Sequence, residues 1–193
     1  MAEIFGDFVE NLPKHAEYLI FGFSPNSISL QQRWRNNGLS ADFLADYVKS
    51  FFISQPDFEL QEEVKGAVSY IANELLENAM KFCEEEYGHP TSIQLHLYNE
   101  NLVFLVRNSL NPERQQSFQD FIKTLDSEDL ADLYIRQLEL NALDEEHTHS
   151  GLGYLTMMQD YEAKLGWKFE VVKNKTTQES VPIVTTMVQL GIF

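Results

Sequence analysis

The sequence contains the run Asn73 Glu74 Leu75 Leu76 Glu77 Asn78 Ala79 in a segment that we predict to be helical from about Glu62 to Glu84. Apolar residues recur around it at the spacing of one buried helix stripe, namely at Val64, Val68, Ile71, Leu75 and Phe82. Asn78 falls on this stripe and Glu74 lies one turn earlier, which puts their Cβ atoms about 6 Å apart. Burying a carboxylate and a carboxamide costs free energy unless something uses them. The run therefore indicates a site, with an Asn satisfied by neighbouring backbone as the alternative.

Composition limits the class of protein. The chain has 193 residues, 44% of them hydrophobic, which is enough for one domain with a proper core. Thirty acidic residues against fourteen basic ones give a formal charge of −16, which disfavours binding to nucleic acids and to anionic membranes. Cys83 is the single cysteine, and we find neither a signal sequence nor an apolar run long enough to span a membrane. We expect a soluble, cytoplasmic protein.

Residues 1–57 form the first part of the chain, and we interpret them as an N-terminal extension that packs on the rest. We predict a short helix ending near Pro13, a strand over Tyr18 to Ser24 and a helix from Ile28 to Asn36. Gly38 and Ser40 predict a break in that helix, with Ser40 as the N-cap of another. The extension could provide a homodimer surface or cover the edge of a sheet, and the sequence leaves both open.

A β-hairpin follows the central helix. Residues 93–97 alternate apolar and polar side chains, Asn99 to Asn101 predicts a turn, and Leu102 to Val106 returns as an apolar strand. We predict that Arg107 to Pro112 then forms a polar turn. The charged residues 113–146 are predicted to form two helices.

The second informative run is His149 Ser150 Gly151 Leu152 Gly153 Tyr154, directly before a helix that we predict over Leu155 to Leu165, with Gly166 as its C-cap. A glycine-rich turn that opens a helix exposes backbone N–H groups at the positive end of the helix dipole, which suits phosphate oxygens. The alternative to a phosphate site is that these glycines serve only to form the turn or to allow close packing. Two further strands are predicted at 168–172 and 183–190.

Together these parts resemble the GHKL family of ATPases and kinases. Glu74 to Ala79 resembles its N box, and Ser150 to Tyr154 resembles its Gly-x-Gly-Leu-Gly box with His149 in place of the first glycine. The resemblance covers about residues 58–193. It implies an α+β fold, a two-layer α/β sandwich in which a mixed, mostly antiparallel sheet is covered on one face by helices. It also implies a lid at about residues 111–149.

The same resemblance implies ATP and Mg²⁺ as cofactors. Asn78 would hold the Mg²⁺ that bridges the nucleotide phosphates, and Glu74 would be the general base that accepts a proton from the attacking hydroxyl. Ser150, Gly151, Leu152 and Gly153 would offer backbone N–H groups to the phosphates.

One expected part of the GHKL pattern is absent. Where the family has Asp-x-Gly-x-Gly, whose aspartate binds the adenine amino group, this chain has Arg107 Asn108 Ser109 Leu110 Asn111. Asn108 is the nearest substitute, because its carbonyl could accept the same hydrogen bond. The backbone freedom of the two glycines is lost.

The resemblance implies two functions. In the first, the chain is similar to the stand-alone serine/threonine kinases of bacterial partner-switching systems, the anti-sigma-factor kinases and SiaB-like proteins, and phosphorylates a small STAS-type antagonist protein. The SiaB-like group also has a strand and helices ahead of its ATPase core. In the second, the chain is an inactive regulatory adaptor that binds a protein partner without ATP turnover, as the altered adenine box would allow.

Overall fold

The computed structural model describes residues 2–13, 17–24, 30–52, 58–143, 151–174 and 178–192. Its elements in chain order are β1 Glu3–Gly6, β2 Glu17–Phe23, α1 Leu30–Phe51, α2 Phe58–Phe82, a short 3-10 helix Glu85–Tyr87, β3 Thr91–Leu97, β4 Asn101–Ser109, α3 Pro112–Ser127, α4 Leu130–Leu143, α5 Leu152–Gln159, β5 Lys164–Lys173 and β6 Ser180–Gly191. The described strands form one sheet in the order β1-β5-β6-β4-β3-β2, with every neighbouring pair antiparallel. The predicted α+β two-layer fold is confirmed.

Helix α2 is the centre of the hydrophobic core, as its periodicity predicts. Its buried residues are Val64, Ala67, Val68, Ile71, Ala72, Leu75, Leu76 and Ala79. They pack on the inner face of the sheet, where alternate strand positions such as Ile93 and Phe104 are almost completely buried. Full burial of each such side chain is worth roughly 1.5–3 kcal/mol. This packing determines which face of α2 contacts the sheet.

Helix α1 is continuous, so the predicted break at Gly38 is wrong. Gly38 lies inside the helix, and the Ser40 hydroxyl donates to the carbonyl of Asn36 at 2.7 Å instead of capping a new helix. The buried residues Leu44 and Val48 pack in the common core with α2. This tertiary packing outweighs the cost of a glycine in a helix interior, which is about 1 kcal/mol.

The N-terminal segment crosses the outer face of the sheet. The helix predicted near Pro13 is wrong, because β1 pairs with β5 and the chain then runs across the sheet toward the opposite edge, where β2 pairs with β3. Five hydrogen bonds attach described residues of the 7–13 segment, from Asp7 N–H to Leu165 O, Gln189 Nε2 to Asp7 O, Val9 N–H to Met187 Sδ, Lys168 Nζ to Glu10 Oε1 and Tyr98 OH to Pro13 O. We call residues 7–13 the crossing segment.

The predicted bounds of three further elements are wrong. Strand β4 continues through Arg107, Asn108 and Ser109, which pair with Thr185, Val184 and Ile183 and form no turn. Helix α5 ends at Gln159, and Leu165 and Gly166 belong to β5. Central helix α2 begins four residues earlier and ends two residues earlier than predicted, since it spans 58–82 in place of 62–84.

Candidate functional site

A cavity of about 620 Å³ lies between the inner face of the sheet and helices α2, α3 and α4. The side chains that line it are Leu75, Asn78, Ala79, Lys81, Phe82, Val106, Asn108, Leu110, Arg114, Ser117, Phe118, Phe121, Gln137, Leu140, Tyr154, Val184 and Thr186. The volume is in the range of small-molecule and cofactor sites, and the mixture of apolar walls with a few polar groups is typical of them.

Asn78 lies on the helical wall of this cavity. It is half-buried on α2, one turn after Glu74 and beside the buried residues Leu75 and Ala79. Asn73, on another side of the same helix, instead donates to Glu77 Oε1 at 2.7 Å. The heptad-like apolar spacing therefore identified the asparagine that faces the interior.

Asn108 lies on the opposite, sheet side of the cavity. It is 4% exposed, and its side-chain nitrogen donates to the carbonyl of Ser109 at 2.8 Å. With the nitrogen so occupied, the carboxamide oxygen is the atom that can accept a hydrogen bond from a ligand. Asn108 is thus held by β4 itself, and no flexible turn is involved.

Glu74 does not line the cavity but lies next to it. Its half-buried carboxylate packs so closely on Gly153 that a Cβ at that position would overlap it. Burial raises the pKa of the Glu74 carboxyl, and the nearby Glu77 carboxylate adds to the effect. A carboxyl group with a raised pKa is suited to exchange protons near neutral pH.

The glycine turn is joined to the rest of the site through side chains. Gly151 has φ 129° and precedes α5, and a Cβ there would lie 2.7 Å from Cζ of Phe121 on α3. Gly153 is needed for the contact with Glu74. Leu152, between them, is the first residue of α5. Ser150, His149 and the predicted lid residues 144–149 lie outside the described residues.

Several lining residues were missed by sequence reasoning. Tyr154 and Thr186 are each 5% exposed at the cavity wall, and burial raises the pKa of the Tyr154 phenol to about 12, with Thr186 and Trp167 as polar neighbours that partly offset this. Phe118 stacks on Tyr154 with ring centroids 6.2 Å apart. The alternation of β6 could have identified Thr186, because it places residues 184, 186 and 188 on one face.

Two cations lie close to one aromatic ring where helices α2 and α3 meet at the cavity. Lys81 Nζ is 5.5 Å and the Arg114 guanidinium 5.8 Å from the centroid of Phe82. Lys81 follows Asn78 by three residues, which is one helix turn, so helical spacing could have found it. Arg114 comes from α3, and no local pattern connects it with Asn78.

The side chains that could coordinate a metal limit which metal ion the site can hold. The described ranges contain no group of three or more His, Cys, Asp or Glu side chains that could hold a metal ion. Asn78 offers one carboxamide oxygen at the cavity. This suits Mg²⁺, which keeps several waters and is commonly bound by one or two protein oxygens together with substrate phosphates. A cation that needs a complete protein cage would not fit.

Comparison with known proteins gives matches among solved structures. No protein-family model matches the chain, and no curated protein does. Among solved structures, a chain of the crystal structure of the SiaB-SiaC complex from Pseudomonas aeruginosa matches with a TM-score of 0.53 and 16% identity, over 90% of this chain and 89% of that chain. The similarity shows a shared fold.

None of the described helices has the length and apolar character needed to cross a membrane.

Proposed function

We propose that this protein is an ATP- and Mg²⁺-dependent serine/threonine protein kinase of a bacterial partner-switching system. One observation carries the proposal. Asn78 and Asn108, from helix and sheet, line opposite walls of a single cavity, and a half-buried glutamate lies one helix turn from the first of them. The GHKL resemblance assigns these residues to the metal, the adenine and the general base.

The cavity suits a nucleotide. Asn108 would accept a hydrogen bond from the base, and the apolar walls, which include Phe118 and Leu110, would cover its ring. Asn78 would hold Mg²⁺ together with the phosphates, and the bound metal would supply positive charge to a protein whose net charge is −16. Gly151, Leu152 and Gly153, where α5 begins, and Ser150 before them would offer N–H groups to the phosphates.

Glu74 would act as the base that accepts the proton of an attacking hydroxyl. Its raised pKa makes it a stronger base than an exposed carboxylate. Its contact with Gly153 holds the carboxylate beside the glycine turn. Catalysis would then depend mainly on position and on electrostatic stabilisation of the transferred phosphoryl group.

The partner belongs to the proposal as well. The matched chain comes from the SiaB-SiaC complex, which supports a role in which this protein also binds a protein partner. We propose a small STAS-type antagonist protein as the phosphate acceptor. The reason is that the layout of this chain resembles that of the stand-alone kinases of partner-switching systems. The proposed division into an extension at 1–57 and a core at 58–193 would leave the cavity entirely within the core.

The second candidate is an adaptor without turnover. It is favoured by β4, which continues as regular strand through Arg107 to Ser109 where the GHKL pattern has a glycine-rich loop. Arg107 also pairs with Glu170 at 3.0 Å, with both side chains about one-third exposed. An adaptor would keep the fold and the partner surface but not the affinity for ATP.

Calorimetric titration with a non-hydrolysable ATP analogue, with and without Mg²⁺, separates the two. The kinase proposal expects micromolar binding that depends on Mg²⁺ and is lost in Asn78→Ala. Asn73→Ala is the matched control, because Asn73 is on the same helix and bonds to Glu77. Binding that is unchanged in Asn78→Ala would refute the metal assignment, and no binding by the wild type at millimolar nucleotide would favour the adaptor.

Turnover is tested with ATP that is radiolabelled on the γ-phosphate, in an extract of the source cells. We expect label on serine or threonine of a protein in the presence of the wild type. Glu74→Gln should bind nucleotide as the wild type does but transfer at least about a hundredfold less label. Equal transfer by Glu74→Gln would exclude Glu74 as the base.

A further inference from the structure

The positive charges around the cavity need an explanation in so acidic a protein. The chain has 14 basic residues against 30 acidic ones, yet the lining includes both Lys81 and Arg114 and no acidic side chain. Long-range repulsion from the rest of the protein opposes the approach of an anion. Local cations at the cavity would offset it.

Arg114 is held in place by the start of α3. The N-cap residue Asn111 accepts a hydrogen bond from Glu113 N–H at 2.9 Å, and its side-chain nitrogen donates to Glu84 Oε2 at 2.9 Å. These bonds attach the first turn of α3 to the chain just after α2. The guanidinium then lies over the ring of Phe82 on α2.

The other basic residues on α3 and α4 are already paired. Lys123 bonds to Asp120 at 2.9 Å and Arg136 to Glu128 at 2.7 Å. Arg114 forms no ion pair with any of the described residues, and its side chain contacts the Phe82 ring. A cation–π contact uses none of the N–H donors of a guanidinium, so these can still bond an anion.

We propose that Arg114 is a specificity-determining residue that binds a phosphate group of the ligand from the lid side of the cavity. This inference rests on the proposed nucleotide site. Arg114 is the charged residue that α3 contributes to the cavity lining. Phosphate binding by Arg114 would therefore connect α3 with α2 across the cavity. An arginine fork can bond two phosphate oxygens through two parallel N–H groups in a fixed geometry, which a lysine does not offer. The site would therefore select phosphorylated ligands over the nucleoside.

Calorimetry with the series adenosine, AMP, ADP and ATP at constant Mg²⁺ tests this role. The wild type should gain affinity as phosphates are added. In Arg114→Gln the gain from adenosine to ATP should fall by about tenfold or more, the size expected from the loss of a charge-assisted hydrogen bond, while adenosine affinity changes by less than about twofold. Arg114→Lys should recover only part of the gain.

Lys123→Gln is the matched control, since it removes the same charge from the same helix away from the cavity. We expect its affinities to equal those of the wild type. If Arg114→Gln weakens all four ligands equally, Arg114 has only a structural role and the proposal is wrong. It is also wrong if Arg114→Gln retains the full gain. A wild type that binds none of the four refutes the proposed function itself, which is a different result from either of these.

Discussion

At the scale of single residues, Glu74 lies beside the cavity, and its burial there has a cost in stability. Its carboxylate is half-buried against Gly153 and close to Glu77, and both burial and the second carboxylate disfavour its charged form. A group of this kind is retained more easily where it has a task than where it only packs. The same arrangement gives a measurable dependence of stability on pH.

We expect Glu74→Gln to stabilise the free protein at pH 8. Because the folded pKa lies above the ordinary value of 4.5, the folded state holds the proton more tightly than the unfolded chain does, and stability falls as the pH rises through this interval. The variant has no such group, so its melting temperature should exceed that of the wild type by a few degrees at pH 8. The difference should shrink as the pH is lowered toward the ordinary value of 4.5.

Glu63→Gln, on the exposed side of α2, is the control for this comparison. It should change the melting temperature little at either pH. A stability difference for Glu74→Gln that does not vary between pH 8 and pH 4 would contradict the shifted pKa.

Residues whose placement depends on one helix could be predicted from the sequence. The spacing of α2 correctly put Asn78 beside the interior and Glu74 next to it. Tyr154, Thr186 and Arg114 could not be grouped with Asn78 in this way. They belong to three different elements, and only the pairing of strands and the packing of α3 bring them together.

At the scale of elements, the errors occurred where local signals compete with tertiary contacts. Glycine and serine at 38 and 40 favour a break, but burial of one face of α1 on α2 maintains the helix. Polar residues at 107–109 favour a turn, but pairing with β6 extends the strand. The β3–β4 hairpin was predicted correctly because its alternation and its turn residues agree.

Helix α1 offers a direct test of this balance. Gly38 has no neighbouring atom within 4 Å of the position of a Cβ, so Gly38→Ala should fit without strain. We expect it to raise the free energy of unfolding by ~0.5–1 kcal/mol, mainly because alanine loses less backbone entropy on folding. Urea denaturation at neutral pH measures the change.

Gly151→Ala is the contrasting variant, since Gly151 has φ 129° and a Cβ there would lie 2.7 Å from Cζ of Phe121. It should lower the free energy of unfolding, in the direction opposite to Gly38→Ala. If Gly38→Ala is destabilising, a break at this position has a role that the continuous helix does not explain.

At the scale of the whole molecule, the crossing segment connects the two edges of the sheet. It covers an outer face on which Met187 and Val103 are almost completely buried, and it lies so close to Gly166 that a Cβ there would overlap the backbone of Phe8. The outer face therefore depends on residues remote in sequence from the strands that they cover. Nothing in the composition of residues 1–16 indicates this path.

We expect Gly166→Ala to displace the crossing segment. The overlap with the backbone of Phe8 should cost about 1–3 kcal/mol, the usual range for overpacking. Hydrogen exchange should become faster in residues 3–13, while the amides of α2 change much less. Gly191→Ala is the control, because no atom lies within 4 Å of the added Cβ. Equal protection of residues 3–13 in the two variants would show that the segment does not depend on this contact.

The pairing of β1 with β5 also has a consequence for biosynthesis. Glu3 of β1 pairs with Phe169 of β5, which is synthesised long after it, because almost the whole of the described fold lies between them in sequence. While the intervening residues are being synthesised, β1 has no partner strand and the outer face of the nascent sheet has no stable cover. The sheet can be completed only after β5 and β6 have been synthesised, so we expect the nascent chain to depend on chaperones during that interval.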